Sequence, residues 1–132
     1  MKVLQFAFNP WEESHHIPHR IQENSVVYTG THDNPTSCDW FNSISREELS
    51  YVKEYLKLDQ EEGYTWGFIR GAWASTANLA LAPRQDFLGL GKEARMNRPG
   101  SSRDNWTWRI KKNELTDDLA EKIARLTDIY RR

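Results

Sequence analysis

The stretch SVVYTGTHDN, residues 25–34, joins a short apolar run to three polar side chains. The segment 25–29 is rich in β-branched and aromatic residues, which is typical of a buried strand. His32, Asp33 and Asn34 follow it almost at once. Asn and Asp are ordinary turn residues, so one explanation is a polar turn. The other is a site at the carboxyl end of a strand, where α/β folds bind ligands.

Two further apolar segments predict more strands of the same kind. Residues 3–8, VLQFAF, stop at an Asn-Pro pair, and residues 78–83, NLALAP, stop at a proline. Both are predicted to be short buried strands. Helices are predicted between the second and third strands. The apolar runs also predict strands that are buried on both faces, which favours βα units. The predicted fold class is therefore α/β with a parallel sheet.

Capping residues support the predicted helices. Ser45 and Glu48 have the spacing of a capping box near the start of a helix over 43–60. A second, more apolar helix is predicted over 65–77, and a last amphipathic helix is predicted to begin after Thr116. The segment after Pro83 is predicted to be a short turn or helix. Polar composition predicts loops over 9–24 and 92–105.

Composition excludes several kinds of protein and partner. The chain has 132 residues, which suits one domain over 1–132 with a modest core. A net charge of −1 gives no indication of a nucleic-acid partner, and no apolar run reaches the roughly 18 residues of a membrane span. Cys38 is the only cysteine, which favours a cytoplasmic location and a packing role over that of a nucleophile. The six tryptophans are expected mostly to pack, with sugar stacking as the functional alternative.

Three histidines in the first loop raise the question of a metal site. His15, His16 and His19 lie close together in the sequence, and the last two are spaced to chelate. No cysteine and no ordered carboxylate spacing accompanies them. The prediction is therefore a solvated loop and no metal ligand.

Four blocks of sequence, in order, resemble one protein family: VLQFAF, ENSVVYTGTHDN, APRQDFLGLGKEARMNRPG and NWTWR. They are similar to the 4-α-glucanotransferases (amylomaltases) of glycoside hydrolase family 77. The family fold is a (β/α)₈ barrel, which needs about 250 residues. The resemblance implies that residues 1–132 are the C-terminal part of that barrel, about strands six to eight with their helices. Such an incomplete barrel has open sheet edges, which implies possible self-association.

The resemblance also implies a reaction. Family members transfer α-1,4-glucan segments between oligosaccharides with retention, and need no cofactor. Retention uses a carboxylate nucleophile and a carboxylic acid/base, which in this family lie on the fourth and fifth strands. A third carboxylate favours the charged transition state, and the resemblance assigns that role to Asp33. The isolated chain is therefore expected to be inactive. The alternative is a catalytically inactive fragment that at most binds oligosaccharide weakly or associates with itself.

Five further residues are expected to bind substrate or shape its pocket. His32 and Asn34 belong to the HDN motif, and Asn97 belongs to RMNRPG. Gln85 and Asp86 follow the third predicted strand, where barrel loops reach the site.

Most of these assignments have a structural alternative. Asp33 is also explained by an Asx turn, His32 by a bond to backbone, and Asn97 by a local side-chain bond. Asp86 is also explained as a helix N-cap. Pro35 stands where the family often has an acidic residue, which leaves the role of Asn34 open.

Arg95 is expected to position a neighbouring loop. Packing rather than binding is expected of Trp106, Trp108 and Arg109.

Overall fold

Three short parallel strands form one sheet. They are β1 (Lys2–Val3), β2 (Val26–Tyr28) and β3 (Leu79–Leu81), in the order β1-β2-β3, in a computed structural model that describes residues 1–132. Val27 of β2 pairs with Lys2 on one side and with Ala80 on the other. The predicted parallel sheet is confirmed. Because all three strands run the same way, their carboxyl ends meet at one edge.

The first strand is shorter than the sequence predicts. Only Lys2–Val3 is extended, and Leu4–Phe6 forms a 3₁₀ turn closed by the Ala7 N–H, which donates to the Leu4 carbonyl at 2.9 Å. The turn brings Leu4, Ala7 and Phe8 into the core together, whereas a strand alternates its side chains between two faces. The prediction of a strand over 3–8 is wrong because an apolar run alone does not distinguish these two arrangements.

The chain contains five α-helices. They are α1 (Ser37–Ser43), α2 (Arg46–Leu56), α3 (Tyr64–Trp73), α4 (Arg84–Phe87) and α5 (Asp117–Ile129), with 3₁₀ turns at Leu4–Phe6, Pro18–Arg20 and Lys92–Ala94. The capping box of Ser45 and Glu48 and the Thr116 cap are both confirmed. Helix α1 was not predicted, although Thr36 caps it by accepting the Asp39 N–H at 3.2 Å. The spacing Thr-x-x-Asp is typical of a helix start and could have predicted this helix.

The core lies on one face of the sheet. Val27 and the helix residue Phe68 are both fully buried there. On β3, however, Leu79 is 50% exposed and Leu81 is 38% exposed, while Ala80 between them packs against the core. The expectation that the strands are buried on both faces is wrong for β3. Within this chain, no helix covers the second face of that strand.

The tryptophans divide between the core and the surface. Trp40 and Trp73 are buried as expected, and Trp66 packs against Phe87 with ring centroids 5.7 Å apart. Trp11 and Trp106 are exposed.

None of the helices has the length and apolar character that crossing a lipid bilayer requires.

Candidate functional site

The polar cluster lies in the loop that follows β2, residues 30–36, here called the 30–36 loop. The Asn34 N–H donates to the Thr31 carbonyl at 3.1 Å and closes a turn. Asn34 Oδ1 accepts hydrogen bonds from the Thr31 N–H at 2.9 Å and from the Thr31 hydroxyl at 2.8 Å. Side-chain stabilisation of the turn therefore comes from Asn34 rather than from Asp33. Only the amide NH₂ of Asn34 remains for a ligand.

Asp33 presents a half-exposed carboxylate at the tip of this loop. Its Oδ1 accepts a hydrogen bond from Asn97 Nδ2 at 2.6 Å and lies 3.3 Å from His32 Nε2. Its backbone carbonyl accepts from Arg95 Nη2 at 2.7 Å. The carboxylate is therefore oriented from one side and open on the other.

A second loop holds the first in place. The Asn97 N–H donates to the His32 carbonyl at 3.0 Å, in addition to the side-chain bond from Asn97 to Asp33. Arg95 Nε donates to the Asn97 carbonyl at 2.9 Å, and the same guanidinium reaches the Asp33 carbonyl. The expected role of Arg95 in positioning a neighbouring loop is confirmed. The structure thus brings His32, Asp33 and Asn97 together.

Trp106 lies beside this cluster, although the sequence predicts only a packing role for it. Its ring centroid is 5.0 Å from that of His32, with 40° between the planes, and the residue remains 51% exposed. Its backbone has a left-handed φ of 62°, and its N–H donates to the Met96 carbonyl at 2.7 Å. A large residue in this strained conformation is often associated with a functional site. The signal available in the sequence was an aromatic residue inside a polar segment.

Gln85 and Asp86 point inward from α4. Gln85 lines the cleft described below, and its Nε2 donates to the Ala94 carbonyl at 3.1 Å. Asp86 is only 1% exposed and accepts hydrogen bonds from Thr29 and Ser37. Burial raises the pKa of the Asp86 carboxyl, although these donors act in the opposite direction. Asp86 is not the N-cap of α4, because Pro83 occupies that position. The structure therefore places Asp86 away from any ligand-accessible surface.

A cleft of about 400 Å³ opens at the carboxyl edge of the sheet. One wall is formed by the 30–36 loop, including His32 and Asn34, and another by Gln85, Arg95 and Met96. Its floor includes apolar atoms of Tyr28 and Leu81. Asp33 is not part of the lining and lies next to it. The combination of amide, imidazole and apolar surface suits a ligand that carries many hydroxyl groups.

Two histidines of the 9–24 segment, His16 and His19, have separate partners within the protein. His16 Nδ1 accepts the Val3 N–H at 3.0 Å, whereas His19 Nδ1 lies 2.8 Å from the Tyr55 hydroxyl. No three His, Cys, Asp or Glu side chains of the chain converge as a metal site would require. His16 and His19 thus attach the loop to β1 and to α2.

The thiol of Cys38 lies on α1 and is partly buried. Burial raises its pKa, and the carboxylates of Glu93, Asp39 and Asp86 add to this effect. A thiol whose pKa is raised is a poor nucleophile, because the thiolate is the reactive form. The environment therefore agrees with a packing role.

The His16 bond makes the stability of the protein depend on pH. Burial, and then the positive charges of Lys2 and the N-terminus, lower the pKa of His16 below its ordinary value of 6.5. The neutral ring accepts the Val3 N–H, and its stabilisation is fully present above pH 6.5 and lost as pH falls through the lower folded pKa. We expect the free energy of unfolding of wild type to drop between pH 7.5 and 5. In His16→Asn, whose Oδ1 accepts at either pH, that drop should shrink.

Urea denaturation at several pH values measures this difference. The exposed neighbour His15 makes no side-chain hydrogen bond in the structure, so His15→Asn is the matched control. Because His15 contributes least among the groups that lower the pKa of His16, this variant should reduce the drop much less than His16→Asn does. If the free energy of unfolding of His16→Asn fell with pH as steeply as that of wild type, His16 would not be the source of the acid sensitivity.

Comparison with known proteins identifies the family. The 4-alpha-glucanotransferase model of glycoside hydrolase family 77 matches residues 1–116. The chain is 51% identical to the 4-alpha-glucanotransferase of Clostridium butyricum, with 100% of the chain and 27% of that protein covered. It is 46% identical to the chloroplastic/amyloplastic 4-alpha-glucanotransferase of Solanum tuberosum, and this match covers 98% of the chain and 22% of that protein.

A solved structure gives the same result. The amylomaltase from Streptococcus agalactiae, in complex with acarbose, superposes on the whole chain with a TM-score of 0.96 at 32% identity, and 27% of that protein is covered. The chain thus spans about a quarter of the length of the relatives it matches. On the family match and these identities, the chain belongs to the 4-alpha-glucanotransferases of glycoside hydrolase family 77.

Proposed function

We propose that residues 1–132 are the C-terminal part of the catalytic (β/α)₈ barrel of a cytoplasmic 4-α-glucanotransferase. In this proposal β1, β2 and β3 correspond to strands six, seven and eight. The support is a three-stranded parallel sheet whose outer strands are open, together with a match to about a quarter of an amylomaltase chain. The exposed side chains of Leu79 and Leu81 are then the inward-facing residues of a barrel.

The proposed reaction is transfer of α-1,4-glucan segments between maltodextrins with retention of configuration. The observation that carries it is the cluster of His32, Asp33 and Asn97 at the carboxyl end of β2. The transition state of such a transfer resembles an oxocarbenium ion and is positively charged. Asp33 stabilises that charge, and because Asn97 already orients its carboxylate, little reorganisation is needed at the moment of reaction. His32 and Asn97 hold sugar hydroxyls.

The proposal divides the catalytic groups between this chain and the rest of the barrel. Asp33 lies in residues 1–132, whereas the nucleophile and the acid/base belong to the portion of the family fold that this chain does not match. The isolated chain is then inactive. A second candidate function is weak oligosaccharide binding, which is favoured by the cleft of about 400 Å³ beside Asp33. The unpaired edges of β1 and β3 also favour self-association of the isolated chain.

A hybrid enzyme tests the proposal directly. It is the 4-alpha-glucanotransferase of Clostridium butyricum in which the matched segment, 51% identical, is replaced by residues 1–132 of this chain. Incubation with maltotriose should yield glucose and longer maltodextrins from the hybrid and nothing from the isolated chain. Sedimentation of the isolated chain reports its association state. A folded but inactive hybrid would contradict the proposal, as would products from the isolated chain that disappear in Asp33→Asn.

Trp106 supplies an apolar face next to the proposed sugar site, and its removal is expected to weaken binding. The half-exposed indole beside His32 is suited to pack against a pyranose ring. We expect Trp106→Ala to raise the KM of the hybrid for maltotriose about three- to tenfold, if the contact of the indole with a pyranose is similar in strength to an aromatic pair, about 0.5–1.5 kcal/mol. Steady-state kinetics measure the change. Trp106→Phe should recover part of it, and Trp11→Ala, a second exposed tryptophan, should have no effect. Equal KM values for the Trp106→Ala hybrid and the unsubstituted hybrid would show that Trp106 does not contribute to sugar binding.

A further inference from the structure

We infer that Asp86 is a positioning residue whose buried carboxylate holds both ends of the 30–36 loop and thereby sets the place of His32 and Asp33. This inference rests on the proposed function of Asp33. It assigns to Asp86 a role at a distance from the sugar, in place of the direct contact that its position after β3 suggests.

The hydrogen bonds of Asp86 go to the residues on either side of the loop. Thr29 is the last residue before the loop, and its hydroxyl donates to Asp86 Oδ2 at 2.6 Å. Ser37 is the first residue after it, and its hydroxyl donates to the same oxygen at 2.7 Å. The Ser37 N–H donates to Oδ1 at 2.7 Å. One side chain therefore joins the end of β2 to the beginning of α1.

A carboxylate satisfies all the partners of Asp86 at once. The Ser37 N–H can only donate, the two hydroxyls donate in this structure, and an ionised carboxylate is a pure acceptor with enough lone pairs for all three. Thr29, Ser37 and Asp86 are almost completely buried, so water cannot replace a bond that is lost. Removal of the carboxylate leaves three buried polar groups without their hydrogen-bond acceptor, which is unfavourable.

Different residues hold the tip and the base of the loop. At the tip, Arg95 and Asn97 bond the carbonyls of Asp33 and His32. At the base, Gln5 Nε2 donates to the Pro35 carbonyl at 2.9 Å. Gly30 packs so closely on Gln5 that an added Cβ would lie 2.6 Å from that nitrogen. Gln5 thus shares the base with Asp86, but Asp86 is the side chain that bonds both flanking residues, Thr29 and Ser37. Its loss should therefore loosen the base and, through the base, the position of residues 31–34 that it carries.

Nuclear magnetic resonance of the 132-residue chain tests this role without any sugar. Asp86→Asn keeps the size of the side chain, but its NH₂ group must face either the Ser37 N–H, which cannot accept, or the two hydroxyls, which would then have to rotate in order to accept. We expect amide hydrogen exchange at residues 31–34 to become about tenfold faster in Asp86→Asn relative to amides of α3, because the opening is local. The ring resonances of His32 should shift with it. Asp86→Ala should give the larger effect of the two.

Val52→Ala is the matched control, because Val52 is fully buried on α2 and has no contact with the loop through hydrogen bonds. This variant lowers global stability and should leave the exchange of 31–34 relative to α3 unchanged. Wild-type exchange and wild-type His32 resonances in folded Asp86→Asn would overturn the inference, whether or not Asp86→Ala folds. An inactive hybrid, or one indifferent to Asp33→Asn, would instead contradict the proposed function and leave this loop measurement valid.

Discussion

Asp33→Asn is expected to lower kcat of the hybrid enzyme by about 10²- to 10³-fold, the range seen when one oriented electrostatic contact to a transition state is removed. Asparagine has nearly the size of aspartate, so the hydrogen bond from Asn97 to position 33 can persist. What disappears is the negative charge that faces the positively charged sugar. Since that charge develops only in the transition state, KM for maltotriose should change far less than kcat.

Steady-state kinetics with maltotriose separate the two parameters. Glu121→Gln makes the same exchange of carboxylate for amide on the exposed surface of α5 and serves as the control. Its kcat should equal that of the unsubstituted hybrid. If Asp33→Asn kept kcat within about threefold of that value, the catalytic assignment would be refuted, since a loss of that size needs less than 1 kcal/mol.

Phe68→Ala is expected to destabilise the chain by about 3–5 kcal/mol, as is usual for removal of a fully buried phenylalanine. Phe68 is 0% exposed at the centre of an aromatic cluster. Its ring centroid lies 5.9 Å from that of Phe8, 5.0 Å from that of Trp40 and 5.3 Å from that of Phe41. Domains are stable by only about 5–15 kcal/mol in total. Loss of this ring is therefore expected to remove a large part of the free energy of unfolding.

The midpoint of urea denaturation, followed by tryptophan fluorescence, measures this loss. Phe68→Leu refills much of the volume and should be less destabilising than Phe68→Ala. Leu115→Ala removes an exposed leucine and should stay within about 0.5 kcal/mol of wild type. A midpoint for Phe68→Ala equal to that of wild type would show that the aromatic cluster does not support the fold.

The residues of the site were foreseen to very different extents. Asp33 and His32 could be singled out because their motif follows an apolar strand directly, and the carboxyl ends of strands are where α/β folds bind ligands. Trp106 was missed because its position beside His32 depends on a left-handed φ and a loop path that no local pattern predicts. Asn34 was expected to bind substrate, with its role left open by Pro35. Its oxygen bonds Thr31 in the turn, which the sequence did not indicate, and its NH₂ group remains for a ligand.

By itself, the sequence determined the family, the parallel sheet and the helix starts at Ser45 and Thr116. These features depend on residues that are close together in the chain, such as caps three positions apart and apolar runs of a few residues.

Only the tertiary structure decided which polar residues are buried and which are open. Asp86 follows a strand as a ligand-binding residue would, but its donors Ser37 and Thr29 lie 49 and 57 positions away in the sequence. The turn at Leu4–Phe6 likewise depends on the core against which Leu4 and Phe8 pack. Hydrogen-bond partners and burial of this kind exist only after the chain has folded, so local patterns do not encode them in readable form.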